Sequence, residues 1–546
     1  MKKNNLLILG ALIVLFLALR LPGLSLPYHQ DEWKTARAVE IGAVSASNLY
    51  HPPLTQLSYR AAEAFFGGNH LRMLPFFVSL VSLFFLYSVV ARRAGARAAF
   101  LSVFLYAISF YSIFASHMID TDGALLPFFF LLSLLCYDRW NSVEQGLRRY
   151  WLLGFIAALF AGFMVKLSFI IVLGVFIVDY IRTRYQQFHK KEILFLFYSV
   201  ATFLGVSVFV LFLTKLLYPA FQLSAMVNHA LLYVHFSGRN YTQVIVQAIK
   251  ALEYLSPLLI VPLILITRDA ARHSRVFITY LVLGSIFYFV LFDFSRGALD
   301  KYLMYAIIPL SALIGIILAP HVPTTRAQFK SPMIIGALLS LALLALNFFN
   351  HTVLPLYPKQ EWFTRVLHGE WAMLIPFTGG SGPLGFYVSF LFIGVAYVLS
   401  LVLVLLGRMR LLPLPIVVVV LMVLGISYNA VFAEEYQWGM INGSAPQVLN
   451  TALNYIEENQ AVTSVITYND SGAYELSHMN KYENRFYAVP EYELVHRERF
   501  SEFKGNFLVI DIPRIYTGSY YEEFFATCDK VFETNSRNIT ATIYGC

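Results

Sequence analysis

The sequence predicts a polytopic α-helical membrane protein with a small soluble α/β domain at its C-terminal end. Three observations support this fold class. Hydrophobic residues make up 58% of the chain and charged residues only 13%, whereas about a quarter of the residues in a soluble domain are charged. Long apolar segments recur up to residue 432, and the composition turns polar after it. We therefore assign residues 1–433 to a transmembrane domain and residues 434–546 to a soluble domain.

About thirteen apolar segments are candidates for transmembrane helices, which need about 20 residues to cross a bilayer. They are Leu6–Leu19, Met73–Ala91, Ala98–Phe114, Ala124–Tyr137, Trp151–Val165, Phe169–Ile181, Ile193–Leu213, Ala251–Ile266, Val276–Phe292, Leu303–Leu318, Met333–Phe349, Phe386–Leu406 and Leu412–Phe432. The first segment follows a basic start, as in a signal peptide, but no small-x-small cleavage site follows it. We expect it to be retained.

The loops between these segments alternate in charge. When Lys2 and Lys3 are placed on the cytoplasmic side, every loop assigned to that side is basic, as the positive-inside rule requires. This alternation predicts a multi-pass protein of the cytoplasmic membrane with a cytoplasmic N-terminus and an extracytoplasmic C-terminal domain. The formal net charge of +8 is then a consequence of topology, and we predict no nucleic-acid partner.

The C-terminal region carries alternating strand and helix signals. Strands are predicted at Ser464–Tyr468, Asn506–Ile512 and Ala541–Gly545, and an amphipathic helix at Ala445–Asn459. Cys528 and Cys546 lie in this domain and can form a disulfide outside the cytoplasm, although their spacing alone does not show that they meet. We expect this domain to recognise an acceptor or to serve a structural role.

Ionisable residues collect on the predicted outer face, at helix ends or in outer loops. They are Asp31, Glu32, His51, Arg72, Asp120, Asp122, Lys166, Asp293, Arg296, Asp300 and Lys301. Charged groups at membrane depth are costly, so a cluster of both signs indicates a functional site. No matching acidic cluster is found on the inner face, which favours chemistry at one face over an ion pathway across the membrane.

Each of these signals has a structural explanation when it is taken alone. Asp31 and Glu32 suit the first turn of a helix, where the macrodipole favours acids. Asp122 can cap a helix that starts at Gly123, and Lys166 can extend its ammonium group to the interface. The prolines after His51 can simply mark a turn.

The order of the motifs is more specific than any one of them. The chain contains, in this order, "LPYHQDEW", "HPPL", "NHLRMLPFF", "SHMIDTDGALL", "GFMVKLSFI" and "GALDKYLMYAIIP". From about Leu6 to Pro320 it resembles the GT-C membrane glycosyltransferases that use polyprenyl-phosphate sugars. These include the protein O-mannosyltransferases and the lipid A aminoarabinose transferase (families thirty-nine and eighty-three). The aminoarabinose transferases have Lys–Pro where this chain has His51–Pro52, so the resemblance favours the broader family.

This resemblance implies an inverting transfer of a sugar from a polyprenyl phosphate to an acceptor on the outer face. Asp31 matches the acid that assists the acceptor, with Glu32 as its neighbour, and either Asp120 or Asp122 matches the second acidic motif. Lys166 matches a basic residue at the same hairpin, and Lys301–Tyr302 matches a pair of a basic residue and a tyrosine near the lipid phosphate. Removing a phosphate also requires cations that stabilise its charge, and the candidates are His51, Arg72, Lys166, Arg296 and Lys301.

The expected partners are a polyprenyl-phosphate-linked sugar, membrane lipids, and an acceptor that is a glycolipid, a polysaccharide or a protein. No cofactor is required by the sequence, but Asp31 with Asp120 or Asp122 could bind Mg²⁺ or Mn²⁺ through oxygen ligands. Two other classes stay open, a transporter or flippase and a polymerase or ligase of lipid-linked polysaccharide. A transporter would place charges near the bilayer midplane, which is not the pattern here.

Overall fold

The structure is a computed structural model, which describes residues 3–40, 51–142, 145–184, 190–219, 221–234, 239–293, 299–377 and 384–546. It divides into two compact units. The first unit comprises Met1–Leu24, Thr35–Thr325 and Val404–Val418, and the second comprises Ser25–Lys34, Arg326–Leu403 and Val419–Cys546.

Helices make up the N-terminal part of the chain. They are α1 (Lys3–Arg20), α2 (Asp31–Glu40), α3 (Pro53–Phe66), α4 (Met73–Ala94), α5 (Ala96–Ile108), α6 (Phe110–His117), α7 (Leu125–Ser142), α8 (Gln145–Val165), α9 (Ile170–Thr183), α10 (Lys190–Leu217), α11 (Leu223–Leu232), α12 (Tyr241–Ile260), α13 (Arg268–His273), α14 (Arg275–Ile286), α15 (Leu299–Tyr302) and α16 (Ile307–Leu318). The later helices are α17 (Arg326–Ala345), α18 (Lys359–Leu367), α19 (Phe390–Arg408), α20 (Leu414–Gln437), α21 (Ala445–Glu458), α22 (Ala473–His478), α23 (Glu493–Glu502) and α24 (Tyr520–Ala526).

Among the described residues, nine helices are long and apolar enough to cross a membrane, or ten if the bent pair α5–α6 counts as one span. This confirms a multi-pass helical membrane protein, while the count of thirteen is not confirmed. Helix α9 has only 14 residues, Arg275–Leu291 is a shorter apolar helix, and α7 ends in the polar sequence DRWNS. The predicted helix at Phe386 was wrong at its start, because Phe386–Ser389 form a strand.

Arg20, at the end of α1, stabilises the break between α5 and α6. The two helices meet at Ser109 with a bend of 63°, which frees carbonyl groups at the end of α5. The fully buried Arg20 guanidinium donates from Nη1 to Ala107 O (2.9 Å) and from Nη2 to Ser112 Oγ (2.9 Å). It also lies 3.8 Å from the centroid of the Phe16 ring. One side chain thus ties α1 to both halves of the bent pair.

The same region connects α1 to the end of α6. The Nε2 atom of His117 lies 2.7 Å from Arg20 O, and the imidazole packs directly on Gly23. A Cβ atom at Gly23 would lie 2.2 Å from His117 Cε1, so only glycine fits. These contacts fix the start of the loop between α6 and α7, which carries Asp120 and Asp122.

The C-terminal ends of α4, α7 and α9 line a basic cavity in the first unit. Its volume is about 580 Å³, and two aspartates neutralise part of its charge. Arg93 donates to both carboxylate oxygens of Asp138, and Arg275 Nε lies 2.8 Å from Asp179 Oδ1. The other basic residues in its lining are Arg92, Arg184, Arg272 and His273.

The second unit contains two sheets. In the first sheet, β1 (Thr352–Val353) pairs parallel with β2 (Met373–Phe377), which pairs antiparallel with β3 (Phe386–Ser389). The second sheet has the order β5-β4-β6-β8-β7, with β4 (Val465–Tyr468) parallel to β5 (Tyr482–Phe486) and to β6 (Asn506–Ile510). Strands β7 (Asp529–Ser536) and β8 (Ile539–Gly545) complete it in antiparallel pairing.

The C-terminal elements agree with the sequence pattern. The predicted strands correspond to β4, β6 and β8, and the predicted helix is α21, whose apolar side chains enter the core. Cys528 and Cys546 form a disulfide. The predicted α/β character of this region is confirmed, and the domain boundary between residues 433 and 434 stays a prediction. Strands β1–β3, β5 and β7 were not predicted.

We expect Arg20→Met to destabilise the protein, because the substitution leaves buried carbonyl groups without a donor. A buried acceptor that loses its partner costs about 1–3 kcal/mol. The measurement is the apparent melting temperature in detergent, with the exposed Arg149→Met as the matched control. An Arg20→Met protein that melts with the control would show that the α5–α6 break does not need this guanidinium.

Candidate active site

Five of the predicted site residues form one cluster in the first unit. Asp120 and Asp122 lie in the loop between α6 and α7, Lys166 follows the last residue of α8, and Lys301 and Tyr302 end α15. These positions share one end of the helices, because α6 and α8 finish there and α7 begins there. The structure thus groups residues that lie up to 182 positions apart in the sequence.

Two ion pairs and an aromatic ring form the centre of the cluster. Lys301 Nζ lies 3.3 Å from Asp120 Oδ2, and Lys166 Nζ donates to Asp122 Oδ2 in a short contact. Both ammonium groups also lie near the Tyr302 ring, at 4.5 Å from its centroid for Lys166 and 5.2 Å for Lys301. An aromatic face attracts cations at such distances. The cluster therefore holds two positive charges close together in a buried environment.

The loop between α6 and α7 is held by its own contacts and by α3. Asp120 Oδ1 accepts a hydrogen bond from Thr121 N at 2.6 Å, and Tyr59 of α3 donates to the backbone oxygen of Asp120 at 2.9 Å. Gly123 lies so close to α6 that a Cβ atom would come within 2.9 Å of Ala115 O. Its lack of a side chain lets the loop close over the end of α6.

Asp122 does not cap α7, which was the structural alternative for this residue. The helix begins at Leu125, and the first-turn donor Leu126 N bonds to Thr121 O at 3.0 Å. One carboxylate oxygen of Asp122 accepts from Lys166. Within the part of the chain that the structure describes, the other oxygen, Oδ1, is buried and has no hydrogen-bond partner. This carboxylate is thus part of the charged cluster.

The "HPPL" motif positions the lysine of the α8–α9 hairpin. Pro53 is the first residue of α3, a position at which proline is favoured because its missing N–H would be unpaired there. Two residues later, Thr55 Oγ1 donates to Val165 O at 2.7 Å, directly before Lys166. Thr55 and Tyr59 were both missed by sequence reasoning, although they lie four residues apart and so share a helix face.

His51 lies at the edge of the same cluster and is half-buried. Burial lowers the pKa of its imidazole to about 3, and the charges of Lys166 and Lys301 contribute against an opposing effect of Asp120. His51 is therefore neutral at pH 7. It can donate or accept a hydrogen bond at the cluster, but it does not add a positive charge.

The two carboxyl groups have different electrostatic environments. Burial favours the neutral form of Asp120, but Lys301 and Lys166 outweigh it and hold the pKa of this carboxyl well below its usual range. Burial raises the pKa of Asp122, and the charge of Asp120 acts in the same direction against Lys166. Two acids with separated pKa values are typical of catalytic sites.

Arg72 and Arg296 are two further cations that were predicted to stabilise the phosphate. Arg72 is buried just before α4, and its Nη1 donates to Gly23 O at 3.5 Å. The charge of Arg72 also acts on His117. Its described bond therefore joins it to the segment after α1. Arg296 lies outside the described residues.

Asp31 and Glu32 open α2 and belong to the second unit. The side chain of Asp31 is 47% exposed, and its Oδ1 accepts from Lys34 Nζ at 3.2 Å. Glu32 is fully buried, and its Oε2 accepts from His29 N at 3.4 Å. Of the two adjacent acids, Asp31 is thus the one that is accessible to a reactant.

The clustered residues do not fit a divalent metal ion. Asp120 and Asp122 each face a lysine ammonium group, which occupies the place of a cation. The described ranges contain no group of three or more His, Cys, Asp or Glu residues arranged to hold a metal. A role of Asp31 as a ligand of Mg²⁺ or Mn²⁺ stays a prediction.

We expect His51 to make the folded protein sensitive to mild acid. Its pKa is about 3 in the folded state against 6.5 ordinarily, so the unfolded state binds more protons as the pH falls below 6.5, and stability decreases. The loss should be roughly 1 kcal/mol at pH 5.5. The measurement is thermal unfolding at pH 7.5 and 5.5. His51→Gln should lose less stability on acidification than the wild type, while the exposed His368→Gln should behave as the wild type.

The chain is similar to known proteins in one segment of its sequence and in its fold. Residues 50–212 match the family described as dolichyl-phosphate-mannose-protein mannosyltransferase. No curated protein matches the sequence significantly. Two crystal structures of ArnT from Cupriavidus metallidurans match almost the whole chain: the apo state (TM-score 0.54, 16% identity) and the complex with undecaprenyl phosphate (TM-score 0.55, 15% identity), each covering 99% of this chain and 97% of ArnT.

A third structure is less similar. The Pmt1-Pmt2 protein O-mannosyltransferase complex of S. cerevisiae, bound to its sugar donor, has 18% identity over 41% of this chain and 35% of that chain. Its TM-score of 0.32 is below the level that indicates a shared fold. The resemblance drawn from the motifs is nevertheless confirmed by the family match and by ArnT. The protein is a multi-pass membrane protein that shares the GT-C fold of ArnT, and its residues 50–212 match a glycosyltransferase family.

Proposed function

We propose that this protein transfers a sugar from a polyprenyl phosphate to an acceptor hydroxyl, with inversion at the anomeric carbon. The reaction takes place on the outer face of the cytoplasmic membrane. The acceptor hydroxyl belongs to a glycolipid, a polysaccharide or a protein. The proposed reaction requires no divalent metal, because lysines supply the positive charge at the phosphate.

The observation that carries this proposal is the pair of ammonium groups at Tyr302. Lys166 and Lys301 both lie close to this ring, and each is held by a carboxylate. The phosphate of a lipid-linked sugar is an anion and needs such cations. Because its polyprenyl tail stays in the bilayer, the cations must lie at the ends of the apolar helices. The carboxylates hold the lysines in place before the phosphate binds.

The lysines also suit the chemical step. The acceptor oxygen attacks the anomeric carbon, the bond from that carbon to the phosphate oxygen breaks, and the electron pair leaves with the polyprenyl phosphate. Preorganised cations stabilise the charge that the phosphate gains as it departs. They act strongly here because both lysines are largely buried, with side-chain exposures of 11% and 14%.

Asp31 is the proposed general base, and this assignment rests on the resemblance of "LPYHQDEW" to the family motif. It accepts the proton of the acceptor hydroxyl, a contribution of about 10²–10⁴-fold to the rate. Its half-exposed carboxylate suits the role better than the buried Glu32. Asp120 and Asp122 are proposed to hold and orient the two lysines.

The comparisons support a polyprenyl phosphate as the leaving group. The matching family segment, residues 50–212, contains His51, Asp120, Asp122 and Lys166, and the family description names a dolichyl-phosphate sugar. ArnT, with which the chain shares its fold, has been crystallised with undecaprenyl phosphate. Both lipids join a long polyprenyl chain to a phosphate.

The orientation in the membrane is supported by charge. The basic cavity with Arg92, Arg184 and Arg272 lies at the opposite ends of the helices from Lys166, and basic residues favour the cytoplasmic side. The disulfide between Cys528 and Cys546 is typical of a domain outside the cytoplasm. Both features support an outer-face reaction and an extracytoplasmic C-terminus.

We expect Asp31→Asn to abolish transfer without weakening donor binding. The full-length enzyme in nanodiscs is given a panel of radiolabelled polyprenyl-phosphate sugars and cell-envelope acceptors. With the consumed donor, the rate of Asp31→Asn should fall by about 10²–10⁴-fold. Glu40→Gln, a neutralisation at the other end of α2, is the matched control. If Asp31→Asn keeps the wild-type rate, the base is a different residue; if the wild type consumes no donor, the proposed reaction is wrong.

We expect Lys166→Met to weaken binding of the lipid phosphate. The substitution removes one of the two cations, and we expect affinity for undecaprenyl phosphate to fall at least tenfold, or about 1.4 kcal/mol. Binding is measured by native mass spectrometry of the protein in detergent. Lys215→Met removes a half-buried lysine near the end of α10 and should bind as the wild type. Equal affinities for the two variants would place the phosphate elsewhere.

A further inference from the structure

The first turn of α2 packs on the soluble elements of the second unit. The segment Ser25–Lys34 belongs to the same compact unit as Val419–Cys546. Two aromatic contacts attach it: the ring centroids of Tyr28 and Tyr474 are 4.9 Å apart, and those of Trp33 and Tyr482 are 5.1 Å apart. The turn that carries Asp31 is therefore held by residues more than 400 positions later in the chain.

A charged contact lies beside these aromatic pairs. Lys34 Nζ is 3.2 Å from Asp31 Oδ1 and 3.7 Å from Asp470 Oδ2. The lysine side chain is only 22% exposed, and that of Asp470 is fully buried. One ammonium group thus bridges an accessible carboxylate and a buried one.

Asp470 is itself fixed from several directions. It follows β4, at the carboxyl end of a parallel strand, the edge at which functional groups of α/β sheets collect. Its Oδ2 accepts hydrogen bonds from Arg485 Nη1 and from the Tyr487 hydroxyl, both at 2.9 Å.

The backbone at Asp470 is unusual. Asn469 and Asp470 have φ values of +54° and +63°, in the left-handed region, which Asn and Asp adopt more readily than other residues that carry a Cβ atom. In the described part of the chain, Oδ1 of Asp470 is also buried without a hydrogen-bond partner. The fold therefore retains a carboxylate here at a cost to stability.

We propose that the C-terminal domain is a positioning element for catalysis, and that Asp470, acting through Lys34, fixes the orientation of the Asp31 carboxylate. The inference rests on the proposed function of Asp31 as the general base. Asp470 touches no reacting atom in this scheme and is a positioning residue.

The contact between Lys34 and Asp470 restricts the conformational freedom of the Asp31–Lys34 pair. A half-exposed aspartate has several rotamers, and a long lysine beside it has more, so the pair alone would not hold one geometry. Anchoring the lysine to a buried carboxylate removes most of that freedom. Small errors in the position of a catalytic group can cost about 10²-fold in rate, so the anchor should appear in kcat.

The test compares variants of the full-length enzyme in nanodiscs with the donor that the wild type consumes. We expect Asp470→Asn to lower kcat by 10- to 100-fold while the KM for the donor changes less than twofold. Lys34→Met should have the same effect, and Lys34→Arg should restore much of the rate because it keeps the charge and the reach. In the double variant that combines Asp470→Asn with Lys34→Met, kcat should be less than twofold lower than in Asp470→Asn alone. Both substitutions break the same connection.

The matched control is Asp511→Asn. Asp511 lies just after β6 in the same sheet, and its carboxylate pairs with Arg514. It has the same chemistry as Asp470 but no described contact with Ser25–Lys34, so its kcat should equal that of the wild type. Melting temperatures separate loss of folding from loss of positioning. If Asp470→Asn does not fold, the kcat of Lys34→Met tests the inference instead.

Two results would overturn the inference in different ways. If Asp31→Asn is inactive while Lys34→Met and any folded Asp470→Asn protein keep the wild-type kcat, the positioning role is wrong and the proposed base stands. If Asp31→Asn retains activity, the assignment of the base is wrong and the inference fails with it. A fall in kcat for Asp511→Asn equal to that for Asp470→Asn would also contradict it, since the effect would then be a general response of the domain.

Discussion

A lysine in an apolar hairpin needs a counter-charge, because an unpaired buried ion costs several kcal/mol. Lys166 lies in such a hairpin between α8 and α9, and its partner Asp122 comes from the loop before α7. The pair therefore requires that three helix ends meet. Lys301, in α15, is paired with Asp120 in the same way. Much of the geometry of the first unit at this end follows from the pairing of these four charges.

The loop that supplies the two acids depends in turn on contacts deeper in the unit. His117 ends α6 and packs on Gly23 and Arg20 O, and Arg20 holds the break between α5 and α6. From there the chain reaches Asp120 within three residues. A buried arginine that binds only backbone and hydroxyl groups thus helps to determine where the carboxylates lie.

The sequence predicted the parts of the structure that depend on local pattern. Apolar length gives the helices, and amphipathic spacing gives α21. The assignment of the site to one end of the helices followed from the positions of Asp120, Asp122, Lys166 and Lys301. Asp122 and Lys166 each had a local explanation, yet the spacing of all four residues to the nearest apolar segment placed them at one end. Pairing between distant segments was accessible only through the order of the motifs in a known family.

The residues that the sequence did not reveal act through distant partners. Arg20 has the pattern of an interfacial arginine at a helix end, and nothing near it in sequence indicates the carbonyl groups that it binds. Thr55 and Tyr59 look like ordinary polar positions of an amphipathic helix. The strands β1–β3 were missed because two of them interrupt or adjoin apolar runs that suit helices equally well. In each case the deciding contact lies far away along the chain.

The chemical tasks of the proposed reaction fall on elements with different mechanical properties. Lys166 and Lys301, which are proposed to bind the phosphate, are buried and held by carboxylates at the ends of packed helices, so they keep one position. Asp31 is half-exposed on the first turn of the ten-residue helix α2, and a turn of that kind has little packing of its own. A base that must meet acceptors of varied shape benefits from access, but its rate depends on orientation. In the proposed scheme, the folded α/β domain would supply that orientation without burying the carboxylate, because its contacts are made with Tyr28, Trp33 and Lys34.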